Sequence, residues 1–79
     1  MHVPVSIIVP VYNSETTIFK CIKTIVENNK NIKKEIIIIN DGSNDKTLEI
    51  IKKIKNVKII NFKKNKGVGH ARQYGAKIA

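Results

Sequence analysis

The sequence predicts an α/β fold, a Rossmann-like β-α-β-α-β-α unit with a three-stranded parallel sheet and helices on both faces. Two observations carry that prediction. β-branched apolar runs at residues 5–11, 35–40 and 57–61 alternate with stretches of helical spacing. Such alternation calls for parallel strands joined by crossover helices. The second observation is the run Ile36-Ile37-Ile38-Ile39. It does not alternate with polar residues, so both of its faces must be covered, as in a central parallel strand.

The elements follow in order. Val5-Ser6-Ile7-Ile8-Val9-Pro10-Val11 reads as the first strand, with Pro10 expected to end regular pairing because it has no N–H. Tyr12-Asn13-Ser14 is a turn, and Asn13 or Ser14 is placed to cap a helix, with Glu15 in its first turn. Ile18, Cys21, Ile22, Ile25 and Val26 then recur at helical spacing, which places Cys21 on the apolar face and in the core. That helix is expected to fade near Asn28-Asn29. The second strand ends in the capping-rich turn Asp41-Gly42-Ser43-Asn44-Asp45. A second helix presents Leu48, Ile51 and Ile54 inward, and Asp45 stands where a cap or first-turn acid belongs. Residues 57–61 form the third strand, residues 62–69 a basic, glycine-bearing loop, and residues 70–79 the start of a third helix.

The 79 residues suffice for one small domain. The net charge of +9 rests on lysine, with Arg72 the only arginine. The lysines are scattered and little aromatic content is interleaved with them, so no nucleic-acid partner is expected. A basic RNA-binding domain would instead show steeply salt-dependent binding. The single cysteine allows no internal disulfide. The apolar stretch at residues 3–11 is short and holds Pro4 and Pro10, so it reads neither as a signal segment nor as a membrane span.

Ligands of open parallel sheets bind beyond the carboxyl ends of the strands. Three segments are predicted to meet there: Pro10-Val11-Tyr12-Asn13, Asp41-Gly42-Ser43 and Lys66-Gly67-Val68-Gly69. Position alone leaves Asp41 open between a turn former bonded to backbone and a ligand contact for a ribose or base. Tyr12 can stack on a base or be an ordinary half-buried tyrosine. Gly67 and Gly69 can admit a phosphate to a helix start, but Arg72 stands where a dinucleotide fingerprint needs its third glycine, and no P-loop spacing exists. Arg72 offers a planar fork suited to phosphate or carboxylate. His2 and His70 lack partners at metal-ligand spacing.

Taken together, VSIIVPVYNSE (residues 5–15), EIIIINDGSNDKT (35–47) and NKGVGHARQYGAKIA (65–79) resemble the opening of a family-2 glycosyltransferase with the GT-A fold. The resemblance spans essentially the whole chain, in order and spacing. It implies that residues 1–79 are the truncated N-terminal nucleotide-binding part of a glycosyltransferase domain, one half of a GT-A fold. It further implies an inverting enzyme of polysaccharide or cell-wall biosynthesis. Such an enzyme moves a sugar from a nucleotide-diphosphate sugar, a UDP-sugar by preference, to a glycan, lipid or other acceptor.

By that pattern Pro10, Val11, Tyr12, Glu15, Asp41, Gly67 and Arg72 bind the nucleotide. Tyr12 lies against the base, Asp41 accepts from the base N–H, Glu15 lies near ribose or base, and Arg72 lies on the diphosphate side. Gln73, where the family usually has asparagine, and His70 depart from it. The family's Asp-x-Asp metal motif and catalytic base do not occur, since no two of the six acids stand two apart. Mg or Mn is therefore expected to be held by ligands outside this chain, and the chain alone is expected to be inactive. A non-catalytic nucleotide-binding module of the same fold is the other reading, separated from the first by an Asp-x-Asp beyond Ala79. The resemblance also places the protein in the cytoplasm, at the cytoplasmic face of the membrane in its full-length form. In the doubly wound order the first strand lies mid-sheet, so its open edge here is expected to support self-association.

Overall fold

A computed structural model describes residues 5–28, 30 and 33–79. The order is β1 (Val5–Val11), α1 (Ile18–Asn28), β2 (Lys34–Asp41), α2 (Thr47–Lys52), β3 (Lys58–Phe62) and α3 (Val68–Ile78). The strands form one parallel sheet in the order β1-β2-β3. β2 is therefore central, and its isoleucines split by the two-residue period of a strand. Ile36 and Ile38 pack with Val9, Val11, Ile18, Ile22 and Ile51 on the face covered by α1 and α2. Ile37 and Ile39 pack with Ala71, Ile8, Ile60, Phe62 and Ile78 on the face covered by α3. Ile37, Ile38 and Ile39 are all fully buried. Burial of each such side chain favours folding by about 1.5–3 kcal/mol.

α3 lies close to the sheet because of Gly75. A Cβ there would come within 2.6 Å of Ile8 Cγ2 and 2.9 Å of Ile39 Cδ1. α3 thus packs on the face opposite to α1 and α2, and ligands of open parallel sheets bind beyond the carboxyl ends of the strands.

Several boundaries and burials differ from the sequence expectation. β1 runs through Pro10, which stands in register with Ile39, and Val11 is in register with Asn40. β1 pairs on one side only, and a proline is tolerated in such a strand when its missing N–H faces the open edge. Cys21 is exposed, not core. The buried stripe of α1 consists of Ile18 and Ile22, with Ile25 half-buried. Cys21 and Val26 fall on its flanks, and Phe19 is 63% exposed. α1 begins at Ile18, so neither Asn13 nor Ser14 caps it through a side chain; the Ser14 carbonyl instead accepts from the amides of Thr17 and Ile18. β2 and β3 each reach one residue beyond their expected carboxyl ends, and α3 starts at Val68, two residues earlier than expected. Asn29, named at the end of the first helix, lies outside the described residues. Among the described residues no helix is long and apolar enough to cross a membrane.

Candidate functional site

At the carboxyl ends of β1 and β2 lies a cleft of about 280 Å³ lined by Pro10, Val11, Tyr12, Asp41, Asn65 and Gly67. The strands place these residues. Val11 is the last residue of β1 and Asp41 the last of β2, so parallel pairing brings both residues to the same end of the sheet. Five of the seven residues expected to bind nucleotide thus meet. Glu15 is exposed and lies outside the lining; its backbone amide donates to Asp45 Oδ2 at 3.2 Å. Arg72, the fifth residue of α3, is also exposed and outside the lining.

Asp41 is 3% exposed. Its carboxylate accepts from the backbone amide of Lys66 at 2.6 Å through Oδ1 and from that of Gly67 at 2.8 Å through Oδ2. Each carboxylate oxygen can accept about two hydrogen bonds, so each keeps capacity for a further donor. Asp41 therefore bonds backbone, yet not that of its own turn. It holds the β3–α3 loop against β2.

Asn65, which the sequence reading passed over, completes this arrangement. Its Nδ2 donates to the Asp41 carbonyl at 3.2 Å, and its Oδ1 accepts from the Gly67 amide at 3.1 Å. The second bond spans two residues, the habit of asparagine in turns, and that was the available signal. Gly42 permits the close approach. It has φ +71°, and a Cβ on it would stand 2.4 Å from the Asn65 nitrogen. Gly67 opens α3 at φ +89°.

The other side of the rim is held by a second set of bonds. Asn13, at φ +47°, donates its amide to Ser43 Oγ at 2.9 Å, and its Oδ1 accepts from the Asn44 amide at 2.7 Å. The Ser14 amide donates to Thr47 Oγ1 at 2.8 Å. Ser43 in turn donates to Asn40 Oδ1, and Asn40 Nδ2 donates to Asn61 Oδ1 at 2.8 Å. Asn40 is 1% exposed and Thr47 fully buried. Among the described residues every buried side-chain polar atom has a partner.

Asp45 shows one resolved shift in acidity. Its partial burial opposes ionisation, but the Thr47 hydroxyl, the Thr47 amide and the Glu15 amide all donate to it. Together they outweigh that cost and hold its carboxyl below the ordinary value of 3.8. Asp45 thus serves the start of α2, as the sequence suggested, although Lys46 occupies the cap position and makes no side-chain bond there. A depressed carboxyl adds stability that is fully present above its unfolded value and is lost as pH falls through its folded one. Asp45→Asn is therefore expected to flatten the loss of stability below about pH 4. Urea midpoints of parent and variant across that range check it; parallel curves would count against the assignment.

Residues 6–79 match the family described as Glycosyl transferase family 2. The chain belongs to glycosyltransferase family 2. It is 45% identical over 78 residues to the Escherichia coli protein WfaP, a UDP-Glc:alpha-D-GlcNAc-diphosphoundecaprenol beta-1,3-glucosyltransferase. That match covers 95% of this chain and 30% of WfaP. It is 37% identical over 81 residues to the dolichyl-phosphate beta-glucosyltransferase ALG5A of Trichomonas vaginalis, covering 89% of this chain and 25% of the relative. The crystal structure of S. aureus TarS 1-349 superposes with a TM-score of 0.80 at 29% identity, over 98% of this chain and 24% of TarS. The chain thus spans under a third of these relatives, and the likeness to TarS places it in the GT-A fold.

The resemblance implied Mg or Mn held by ligands outside this chain. Among the described residues no three of His, Cys, Asp and Glu come together as a cation site. The acids of the rim, Asp41 and Asp45, are engaged with amides and the Thr47 hydroxyl. The described residues do not fit the implied cation.

Proposed function

We propose that this chain is the donor-nucleotide-binding part of an inverting glycosyltransferase that uses a nucleotide-diphosphate sugar, with UDP the preferred nucleotide. The observation that carries the reading is the cleft in which Tyr12, Asp41 and the Asn65–Gly67 loop meet beyond the carboxyl ends of β1 and β2. It offers an apolar wall from Pro10 and Val11, a half-exposed ring on Tyr12, which is 46% exposed, and a buried carboxylate with acceptor capacity left. That set suits a planar base bearing an N–H donor. WfaP, whose name states a UDP-Glc donor, supports UDP.

In this reading Asp41 receives the base N–H while it holds the loop, and Tyr12 covers the base face. The acceptor, the catalytic base and the Mg or Mn ligands lie outside this chain, and the chain alone transfers no sugar. The complete enzyme acts in the cytoplasm, at the cytoplasmic face of the membrane. Titration calorimetry with UDP tests the donor reading. The parent chain is expected to bind weakly, with a Kd on the order of 1 mM. Asp41→Ala is expected to abolish the heat while circular dichroism shows a folded chain. Equal binding by parent and variant would overturn the role given to Asp41.

A further inference from the structure

The Tyr12 wall of the cleft has one local tie, from the Ser14 hydroxyl to the Tyr12 carbonyl at 3.1 Å. Residues 12–17 lie between β1 and α1, and the amides of residues 13, 14 and 15 precede any helical hydrogen bonding. Each is nevertheless satisfied, and each by a side chain from the segment after β2. The acceptors are Ser43 Oγ, Thr47 Oγ1 and Asp45 Oδ2. The return bond runs from the Asn44 amide to Asn13 Oδ1. Amides near a helix start ordinarily find local caps or water. Here their partners lie about thirty residues away, and Thr47 and Asp45 also begin α2.

We infer that Thr47 and Asn13 are positioning residues for the nucleotide cleft, acting through the loop that carries Tyr12. The inference rests on the donor reading above. Thr47 is fully buried and its hydroxyl is used twice, accepting from Ser14 and donating to Asp45. Asn13 sits at the exposed end of the same zipper and adopts a left-handed φ of +47°. Neither residue lines the cleft. Their effect on a nucleotide must pass through the position of Tyr12, directly before Asn13 in the chain.

The test uses three variants and UDP as the probe. Thr47→Val keeps the shape and removes the hydroxyl, Thr47→Ser keeps the hydroxyl, and Asn13→Gly keeps the left-handed backbone and removes the acceptor. UDP affinity is measured by NMR under conditions where each variant is folded, together with the ring-proton shifts of Tyr12. Thr47→Val and Asn13→Gly are expected to weaken UDP about tenfold and to move the Tyr12 signals. Thr47→Ser is expected to restore both, which a loss of general stability would not produce. If Thr47→Val does not fold, Asn13→Gly, at an exposed position, decides alone. Parental affinity and Tyr12 shifts in the folded variants would overturn the inference and leave the donor reading intact. A parent chain that binds no UDP would overturn the donor reading, and the inference with it.

Discussion

Gly42→Ala is expected to destabilise the chain by about 2–5 kcal/mol and to abolish nucleotide binding. Two causes add. An alanine at φ +71° enters a left-handed conformation that costs an L-residue about 1–2 kcal/mol. Its Cβ would also stand 2.4 Å from the Asn65 nitrogen and 2.5 Å from the Lys64 carbonyl carbon, both backbone atoms that no rotamer change can clear. The loop must lift, and the amides of Lys66 and Gly67 leave the buried Asp41 carboxylate. A buried group that loses its partner costs about 1–3 kcal/mol. Gly69→Ala is the control. A Cβ there meets nothing within 4 Å, and the residue lies inside α3, so that change is expected to be neutral or stabilising. Urea unfolding of the two variants beside the parent checks the contrast. Equal midpoints for both would show that loop and turn do not pack as described.

The second large effect lies in the centre of the sheet. Ile39→Ala is expected to cost about 2–5 kcal/mol. Ile39 is fully buried between Ile8, Gly75 and Ala71, so little can collapse into the vacated volume. A domain of 79 residues has a total stability of only about 4–12 kcal/mol, so the variant should be largely unfolded by moderate urea. Ile60→Ala, at a half-buried position on β3, should cost clearly less. Circular dichroism across a urea series reads both, and an Ile39→Ala midpoint equal to that of the parent would contradict the two-faced burial of β2.

Much of this arrangement is legible in the residues themselves. Ile36 to Ile39 declared a strand covered on both faces because the two-residue period leaves no polar side. Asp41 and Tyr12 could be placed on one rim because the carboxyl ends of parallel strands share it. Pro10 was misplaced because a missing donor ends pairing only where a partner needs it, and β1 has a neighbour on one side. Cys21 was assigned to the core because residues at helical spacing define a stripe wider than the one α1 buries. Asn65 and the Asn13–Thr47 zipper stayed hidden for another reason. Apart from the two-residue bond to Asn65 Oδ1, their bonds join residues 24 to 33 apart, and no local pattern encodes where a loop folds back. The mutual position of Gly42 and Asn65 belongs to the same class.

The cleft at the ends of β1 and β2 is expected to receive a nucleotide. Titrating the ¹⁵N-labelled chain with UDP tests it directly. Saturable shifts are expected at the amides of Val11, Tyr12, Asp41, Asn65 and Gly67, with little change around the separate apolar groove of Phe19, Ile22 and Ile54. Shifts confined to that groove, or none at millimolar UDP, would contradict it.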